Sequence, residues 1–262
     1  NLELLAKQVV EGFITGMHKS PFHGFSVEFA EHRAYNTGES TRHIDWKLYA
    51  KTDKLYVKRY EEETNLRCHI IIDNSASMHY PKLLVVPSLE KLNKISFAAV
   101  ASAALIELLK RQRDAVGLNI YSDAYDFYAP AKGSERHHRI LLNRLINMLI
   151  DGSTKTTQTY GCLHQIAEKI HRRSLLILFT DMFQSDKKEE ELFEALRHLK
   201  YNKHDVILFH TYDAKTELNF DFDNTPKQFV DVETGEHINL FADNIKAHYK
   251  KEVAHYFKQL NL

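Results

Sequence analysis

The spacing of apolar residues divides the chain into two regions. At its start, apolar residues recur at helical intervals and predict an amphipathic helix over residues 2–17, with a face of Leu2, Leu5, Val9, Phe13 and Met17. Short alternating segments separated by turn signals follow over residues 26–65 and favour short β-strands. We therefore expect a helix and a β-rich extension over residues 1–65.

From residue 66 onward, apolar β-branched runs alternate with helical patterns. The predicted strands lie at residues 67–73, 115–121, 125–129, 174–180, 204–212 and 227–233. The predicted helices lie at residues 94–113, 134–150, 160–172, 187–200 and 242–260. This order is typical of a sheet with crossover helices. We expect residues 66–262 to form one α/β domain with a doubly wound, mostly parallel sheet flanked by helices.

Composition and charge narrow the classes of function. Apolar residues make up 44% of the 262 residues, and Lys plus Arg equal Asp plus Glu at 35 each. A chain without net charge has no global field to attract nucleic acid, so we expect no nucleic-acid partner. No apolar run approaches the ~20 residues that span a bilayer, so we expect no direct membrane insertion by this chain. Cys68 and Cys162 do not form a Cys-x-x-Cys motif, and we expect them to be buried thiols. We also expect a cytoplasmic protein.

The sharpest chemical pattern follows the apolar run at residues 70–72. Asp73-x-Ser75-x-Ser77 offers one carboxylate and two hydroxyls, and such oxygen ligands suit Mg²⁺, Mn²⁺ or Ca²⁺ better than Zn²⁺. Ligands of open α/β sheets bind beyond the carboxyl ends of the strands, where Asp73 is expected. The same residue types are also ordinary turn and N-cap residues. This segment alone therefore leaves a cation site and a structural turn as alternatives.

Two further segments favour the cation site. Residues 174–180 form a second apolar run that is followed by Asp181, which a doubly wound sheet would bring to the same edge as Asp73. Between the two aspartates, a threonine cluster precedes a helical pattern and comprises Thr154, Thr156, Thr157 and Thr159. The three segments together supply a set of oxygen ligands.

These segments resemble the metal-ion-dependent adhesion site (MIDAS) of von Willebrand factor A domains, and the resemblance runs from about residue 66 onward. Upstream residues resemble the signature of the bacterial DUF58 family, which carries such a domain and is associated with MoxR-type AAA+ ATPases. Glu39 stands where the family more often has Asp. The residues that carry the upstream resemblance are Gly24-x-x-x-Glu28-Phe29, Arg33-x-Tyr35, Gly38, Arg42-x-Ile44-Asp45-Trp46 and Leu55-Tyr56-Val57-Lys58.

The resemblance implies a metal site and a kind of partner. Its ligands would be Asp73, Ser75 and Ser77 from the first motif, Thr157 from the second, with Thr156 as the alternative, and Asp181 from the third. The ion would be Mg²⁺, with Mn²⁺ or Ca²⁺ as alternatives, and it would leave one position for an acidic residue of a partner protein. The expected function is a non-enzymatic adaptor that works with a MoxR-type AAA+ ATPase in the assembly or maturation of protein complexes.

Two other classes of function stay open. A Mg²⁺-dependent hydrolase or phosphoesterase is one, although the haloacid dehalogenase motif needs a second acid where Ser75 stands. The chain also lacks the Gly-x-x-x-x-Gly-Lys-Ser/Thr loop of common ATPases and the Gly-x-Ser-x-Gly elbow of serine hydrolases. The other class is a structural scaffold whose Asp-x-Ser-x-Ser loop binds no metal.

Overall fold

The chain forms two compact units, Asn1–Gly16 with Arg67–Leu262 and, separately, Met17–Leu66. The structure is a computed structural model, and it describes residues 2–15, 29–36, 41, 44–60, 66–82, 91–152, 156, 159–182 and 189–260. Among these residues, no helix is both long and apolar enough to cross a membrane.

The smaller unit contains a two-stranded antiparallel sheet and one short helix. Strand β1 (Phe29–Ala34) pairs with β2 (Tyr56–Tyr60), and α2 (Trp46–Thr52) lies between them in sequence. The side chain of Asp45 caps α2 by accepting hydrogen bonds from the backbone N–H groups of Lys47 and Leu48 at 3.0 and 3.1 Å. This helix was not predicted from the periodicity of the sequence.

The larger unit is built on a five-stranded sheet in the order β5-β4-β3-β6-β7. Strands β3, β4, β6 and β7 are parallel, and β5 runs antiparallel to β4 at one edge. The prediction of a mixed α/β fold with a mostly parallel sheet is therefore confirmed. The strands are β3 (Arg67–Asp73), β4 (Ala115–Tyr121), β5 (Tyr125–Lys132), β6 (Leu175–Thr180) and β7 (Asp205–His210).

Helices cover both faces of this sheet. On one face, Ile71 of β3 and Leu178 of β6 pack in a core with residues from α5 and α6. On the other face, Phe179 of β6 contacts Phe97 of α3, with ring centroids 6.4 Å apart. Helix α3 in turn contacts α4 and the N-terminal helix α1. The helices are α1 (Leu2–Thr15), α3 (Lys94–Arg111), α4 (Glu135–Asp151), α5 (Thr159–Lys169) and α6 (Glu189–Tyr201).

The C-terminal part adds a hairpin and a long helix after β7. Strands β8 (Pro226–Val230) and β9 (His237–Phe241) pair in an antiparallel hairpin, and α7 follows over Ala242–Leu260. A single π-helical turn, Ala214–Leu218, lies between β7 and the hairpin. The phenol of Tyr249 in α7 donates a hydrogen bond of 2.7 Å to the backbone carbonyl of Glu217 in that turn. Cys68 and Cys162 are buried free thiols, as predicted.

Candidate metal centre

Strand β3 carries Asp73 to the carboxyl edge of the sheet, where the side chain is fully buried. The three residues before it, Ile70 to Ile72, are apolar and buried, which is typical of a central parallel strand. The backbone N–H of Ser75 donates a hydrogen bond of 3.0 Å to Asp73 Oδ1. The backbone N–H of Asn74 donates a bond of 2.7 Å to the carbonyl of Tyr121 at the end of β4. These bonds fold the Asp-x-Ser-x-Ser loop back over the sheet edge.

The two serine hydroxyls of the motif lie side by side. Ser77 begins a single 3₁₀ turn, Ser77–His79, and its Oγ lies 3.0 Å from Oγ of the buried Ser75. In an octahedral Mg²⁺ site with metal–oxygen distances of 2.0–2.1 Å, neighbouring ligand atoms are about 2.9 Å apart. The spacing of the two hydroxyls therefore suits adjacent positions on one such ion.

Strand β6 brings Asp181 to the same edge as Asp73. The parallel pairing of β3 with β6 aligns their ends, and the hydroxyl of Thr180 donates a hydrogen bond of 2.9 Å to Asp73 Oδ2. Burial raises the pKa of Asp73 to about 7, and the neighbouring carboxylate of Asp181 adds to the rise. The predicted convergence of the two carboxylates is therefore present. Because they repel one another, a cation between them would be favoured.

The sequence did not point to Lys94 and Glu217, which complete the charged cluster. Lys94 is the first residue of α3, and its ammonium donates hydrogen bonds of 3.0 Å to Asp181 Oδ2 and 2.5 Å to Glu217 Oε1. Burial lowers the pKa of Lys94, but the two carboxylates outweigh that effect and the net shift is upward. A lysine in the first turn of a helix interacts unfavourably with the helix dipole. This unfavourable position was a signal in the sequence that Lys94 pairs with acidic groups.

Acidic groups outnumber the ammonium in the described part of this cluster. The buried carboxylate of Asp73 lies near that of Asp181, and Lys94 pairs with Asp181 and Glu217. The described residues contain no group of three or more His, Cys, Asp or Glu side chains able to hold a metal by themselves. The candidate centre instead combines two carboxylates with two hydroxyls, a donor set that fits a hard cation.

The threonine ligand is the part of the predicted site that lies outside this description. Thr157 is not among the described residues, and the alternative, Thr156, is exposed. Thr159 is buried at the first residue of α5 and neighbours the phenol of Tyr121. That phenol in turn lies 3.5 Å from Asp73 Oδ2. The structure therefore brings together Asp73, Ser75, Ser77 and Asp181, with the start of α5 close to them.

The sequence of the chain is similar to those of other bacterial proteins. A family model described as "Protein of unknown function DUF58" matches residues 31–258. The chain is 26% identical over 147 residues to an uncharacterized protein of Mycobacterium bovis and to one from each of two strains of Mycobacterium tuberculosis. Each match covers 56% of this chain and 44% of the relative, so the chain spans less than half the length of these curated relatives.

Proposed function

This chain belongs to the DUF58 family, and from that premise we propose that it is a non-enzymatic adaptor that binds partner proteins through a divalent cation. The cation would be Mg²⁺, with Mn²⁺ or Ca²⁺ as alternatives. In this proposal, residues 66–262 form a von Willebrand factor A-like domain. The mostly parallel five-stranded sheet with helices on both faces supports that assignment.

One observation carries the proposal. Two buried carboxylates from separate strands, Asp73 and Asp181, meet at the edge where the adjacent hydroxyls of Ser75 and Ser77 lie. Burying two like charges is costly unless a positive charge compensates them. Lys94 supplies part of that charge, and a hard cation would supply the rest and bind the hydroxyl oxygens as ligands.

The proposal gives each side chain a distinct task. Ser75 and Ser77 hold the cation with their hydroxyls, and Asp73 and Asp181 supply the compensating charge. By resemblance to von Willebrand factor A domains, Thr157 is retained as a further hydroxyl ligand. When bound, the cation supplies a positive charge that attracts a carboxylate of the partner protein. Thr180 and the Ser75 backbone fix the Asp73 carboxyl by hydrogen bonds, so its orientation precedes binding.

The partner system is proposed from the family resemblance. It would include a MoxR-type AAA+ ATPase in the cytoplasm, with this protein linking the ATPase to a substrate complex during assembly or maturation. Such an adaptor needs an accessible cation and a complementary surface, and it needs no catalytic nucleophile. If the protein were instead a hydrolase, it would hydrolyse a substrate at the carboxylates of Asp73 and Asp181.

Direct cation binding tests the proposal. Isothermal titration of Mg²⁺ into metal-free protein at neutral pH should give saturable one-site binding. Asp73→Ala should abolish that binding, because the variant removes one of two buried negative charges. Asp205→Asn is the matched control, since Asp205 is an exposed carboxylate at the opposite end of the sheet, and it should bind Mg²⁺ like the wild type.

A paramagnetic measurement extends the test to weak affinity. Substoichiometric Mn²⁺ should broaden the backbone amide signals of Ser75 and Asp181 in the wild type and leave them sharp in Asp73→Ala. Equal Mn²⁺ broadening and equal Mg²⁺ binding in wild type and variant would show that the cation site is wrong. Phosphoester hydrolysis lost in Asp181→Ala would instead favour the hydrolase.

A further inference from the structure

A cavity of about 180 Å³ opens beside the candidate centre. Its apolar wall consists of Pro81, Leu92, Phe97 and Tyr212. An apolar cavity of about 150 Å³ in a protein core can hold a benzene ring. The volume therefore suits one bulky side chain.

The polar residues of the cavity are engaged with other parts of the protein. The side-chain amide of Asn93 donates hydrogen bonds to the carbonyls of His79 and Pro81 at 3.1 and 3.2 Å. The hydroxyl of Thr211 donates to the sulfur of Met78 at 3.3 Å. Asp213 accepts from the backbone N–H of Thr216 at 2.7 Å. Because these groups already have partners, a polar occupant would have to displace their hydrogen bonds, whereas an apolar occupant would not.

Two connections join the cavity to the candidate centre. Lys94 lines the cavity and also donates to Asp181 Oδ2 at 3.0 Å. Pro81 follows the 3₁₀ turn that begins with Ser77, a predicted cation ligand. The cavity and the centre therefore share Lys94 and are joined by the 3₁₀ turn.

Aromatic side chains at the cavity mouth face solvent. Phe97 is 43% exposed and Tyr212 is 41% exposed. Nearby on β7, the ring of Phe209 is stacked on Phe179 at 4.8 Å and is still 38% exposed. Exposed aromatic side chains beside a polar site are typical of a surface that binds another protein.

We propose that the cavity selects partner segments in which a bulky apolar residue lies next to the carboxylate that binds the cation. This inference rests on the proposed function and deepens it, because the carboxylate is attracted by the bound cation. The apolar neighbour fills the cavity between Phe97 and Tyr212. Partner recognition at this edge thus has two parts, a charge and an apolar side chain.

Blocked dipeptides test the inference. The probes are acetyl-Asp-Phe-amide and acetyl-Phe-Asp-amide, each compared with its counterpart that has Ala in place of Phe, with saturating Mg²⁺ and detection by amide chemical shifts. One Phe probe should bind about tenfold tighter than its Ala counterpart, since burying an aromatic ring gains that much affinity. Phe97→Ala and Tyr212→Ala should each remove this advantage and leave Mg²⁺ binding unchanged. Tyr128→Ala is the control, because Tyr128 is an exposed aromatic residue on the other edge strand, β5.

The outcomes separate this inference from the proposed function. If Phe and Ala probes bind equally and both require Mg²⁺, the cation-dependent function stands and the cavity inference is overturned. If the Phe probes bind as tightly with a chelator as with Mg²⁺, their binding does not need the cation, and the inference of a two-part recognition is overturned. If Mg²⁺ fails to bind and no probe binds, the proposed function fails and the cavity inference fails with it.

Discussion

The two ends of the central sheet bury titratable groups in opposite ways. At the carboxyl edge, Asp73 and Asp181 lie together and the ammonium of Lys94 compensates part of their charge. Toward the amino edge, His69 in β3 and His204 just before β7 are buried and interact with one another. Burial lowers the pKa of His69 to about 4, and His204 adds to the fall, so His69 is neutral at neutral pH.

The difference supports the proposal that the acidic end has the binding role. At the histidine end, His69 avoids the cost of a buried charge by staying neutral, and the Ser174 backbone N–H donates a hydrogen bond of 3.2 Å to His204 Nδ1. The acidic end retains charge and holds an ammonium among its carboxylates. A fold that needed only stability would gain little from that arrangement, because buried ion pairs are rarely more stabilising than apolar packing.

The largest effect should follow from removing the ammonium at the acidic end. Lys94→Met removes the ammonium that pairs with the buried carboxylate of Asp181 and the partly buried carboxylate of Glu217, so the free energy of unfolding should fall by about 3–5 kcal/mol in metal-free protein. Added Mg²⁺ should restore more stability to this variant than it adds to the wild type. Urea denaturation with and without Mg²⁺ measures both effects.

An exposed ion pair supplies the control for this variant. Lys227→Met removes the partner of Asp223, an ion pair with an N–O distance of 2.7 Å in which the Asp223 side chain is 71% exposed. Its loss should change stability far less than Lys94→Met does, because exposed ion pairs contribute little. Equal destabilisation by the two substitutions would mean that the acidic end does not depend on its internal cation.

Steric crowding at the histidine end should give the next largest effect. Gly117 of β4 pairs with His69, and a Cβ at this position would lie 2.5 Å from His69 Nδ1 and 2.7 Å from the backbone oxygen of Ala129. Gly117→Ala should therefore lower the free energy of unfolding by about 2–3 kcal/mol, because one of the obstructing atoms belongs to the backbone. Any Mg²⁺ binding by the folded fraction should be unchanged, since the substitution lies away from the acidic end.

A second glycine provides the matched control. Gly161 lies in α5, and a Cβ there would meet nothing within 4 Å. Gly161→Ala should raise stability by about 0.5–1 kcal/mol through helix propensity. If Gly117→Ala were as stable as the wild type by urea denaturation, close packing around His69 would not constrain this end of the sheet.

Local sequence signals predicted more of the fold than of the charged cluster. The apolar run at residues 67–73 predicted β3 with its observed bounds, and the predicted helix from residue 94 begins where Asn93 and Ser96 form a capping box. The DUF58 assignment is also confirmed. The pair of Lys94 and Glu217 joins residues 123 positions apart, and Glu217 lies on a π-helical turn that no periodicity indicates. Such long-range charge pairing depends on the assembled fold, so sequence spacing could not predict it.

The smallest predicted effect is a pair of opposite pH dependences in metal-free protein. The pKa of His69 is lowered to about 4 from its usual 6.5, so the unfolded chain binds more protons between these values and stability falls as pH drops from 6.5 to 4. The pKa of Asp73 is raised to about 7 from 3.8, so the folded protein binds more protons and stability rises as pH drops from 7 to 4. The two ends therefore oppose each other across nearly the same range.

Variants at each end should separate the two contributions. His69→Gln removes the loss of stability on acidification, so the stability of this variant should fall less steeply toward pH 4 than that of the wild type. Asp73→Asn removes the gain of stability on acidification, so the stability of that variant should fall more steeply. Each substitution should therefore change the slope of stability against pH, measured by urea denaturation at several pH values with chelator present. Parallel pH profiles for both variants and the wild type would contradict the contrast between a neutral end and a charged end. Opposite changes in slope would show that the folded protein gains stability when Asp73, at the edge where cation binding is proposed, loses its charge, and loses stability when His69 gains one.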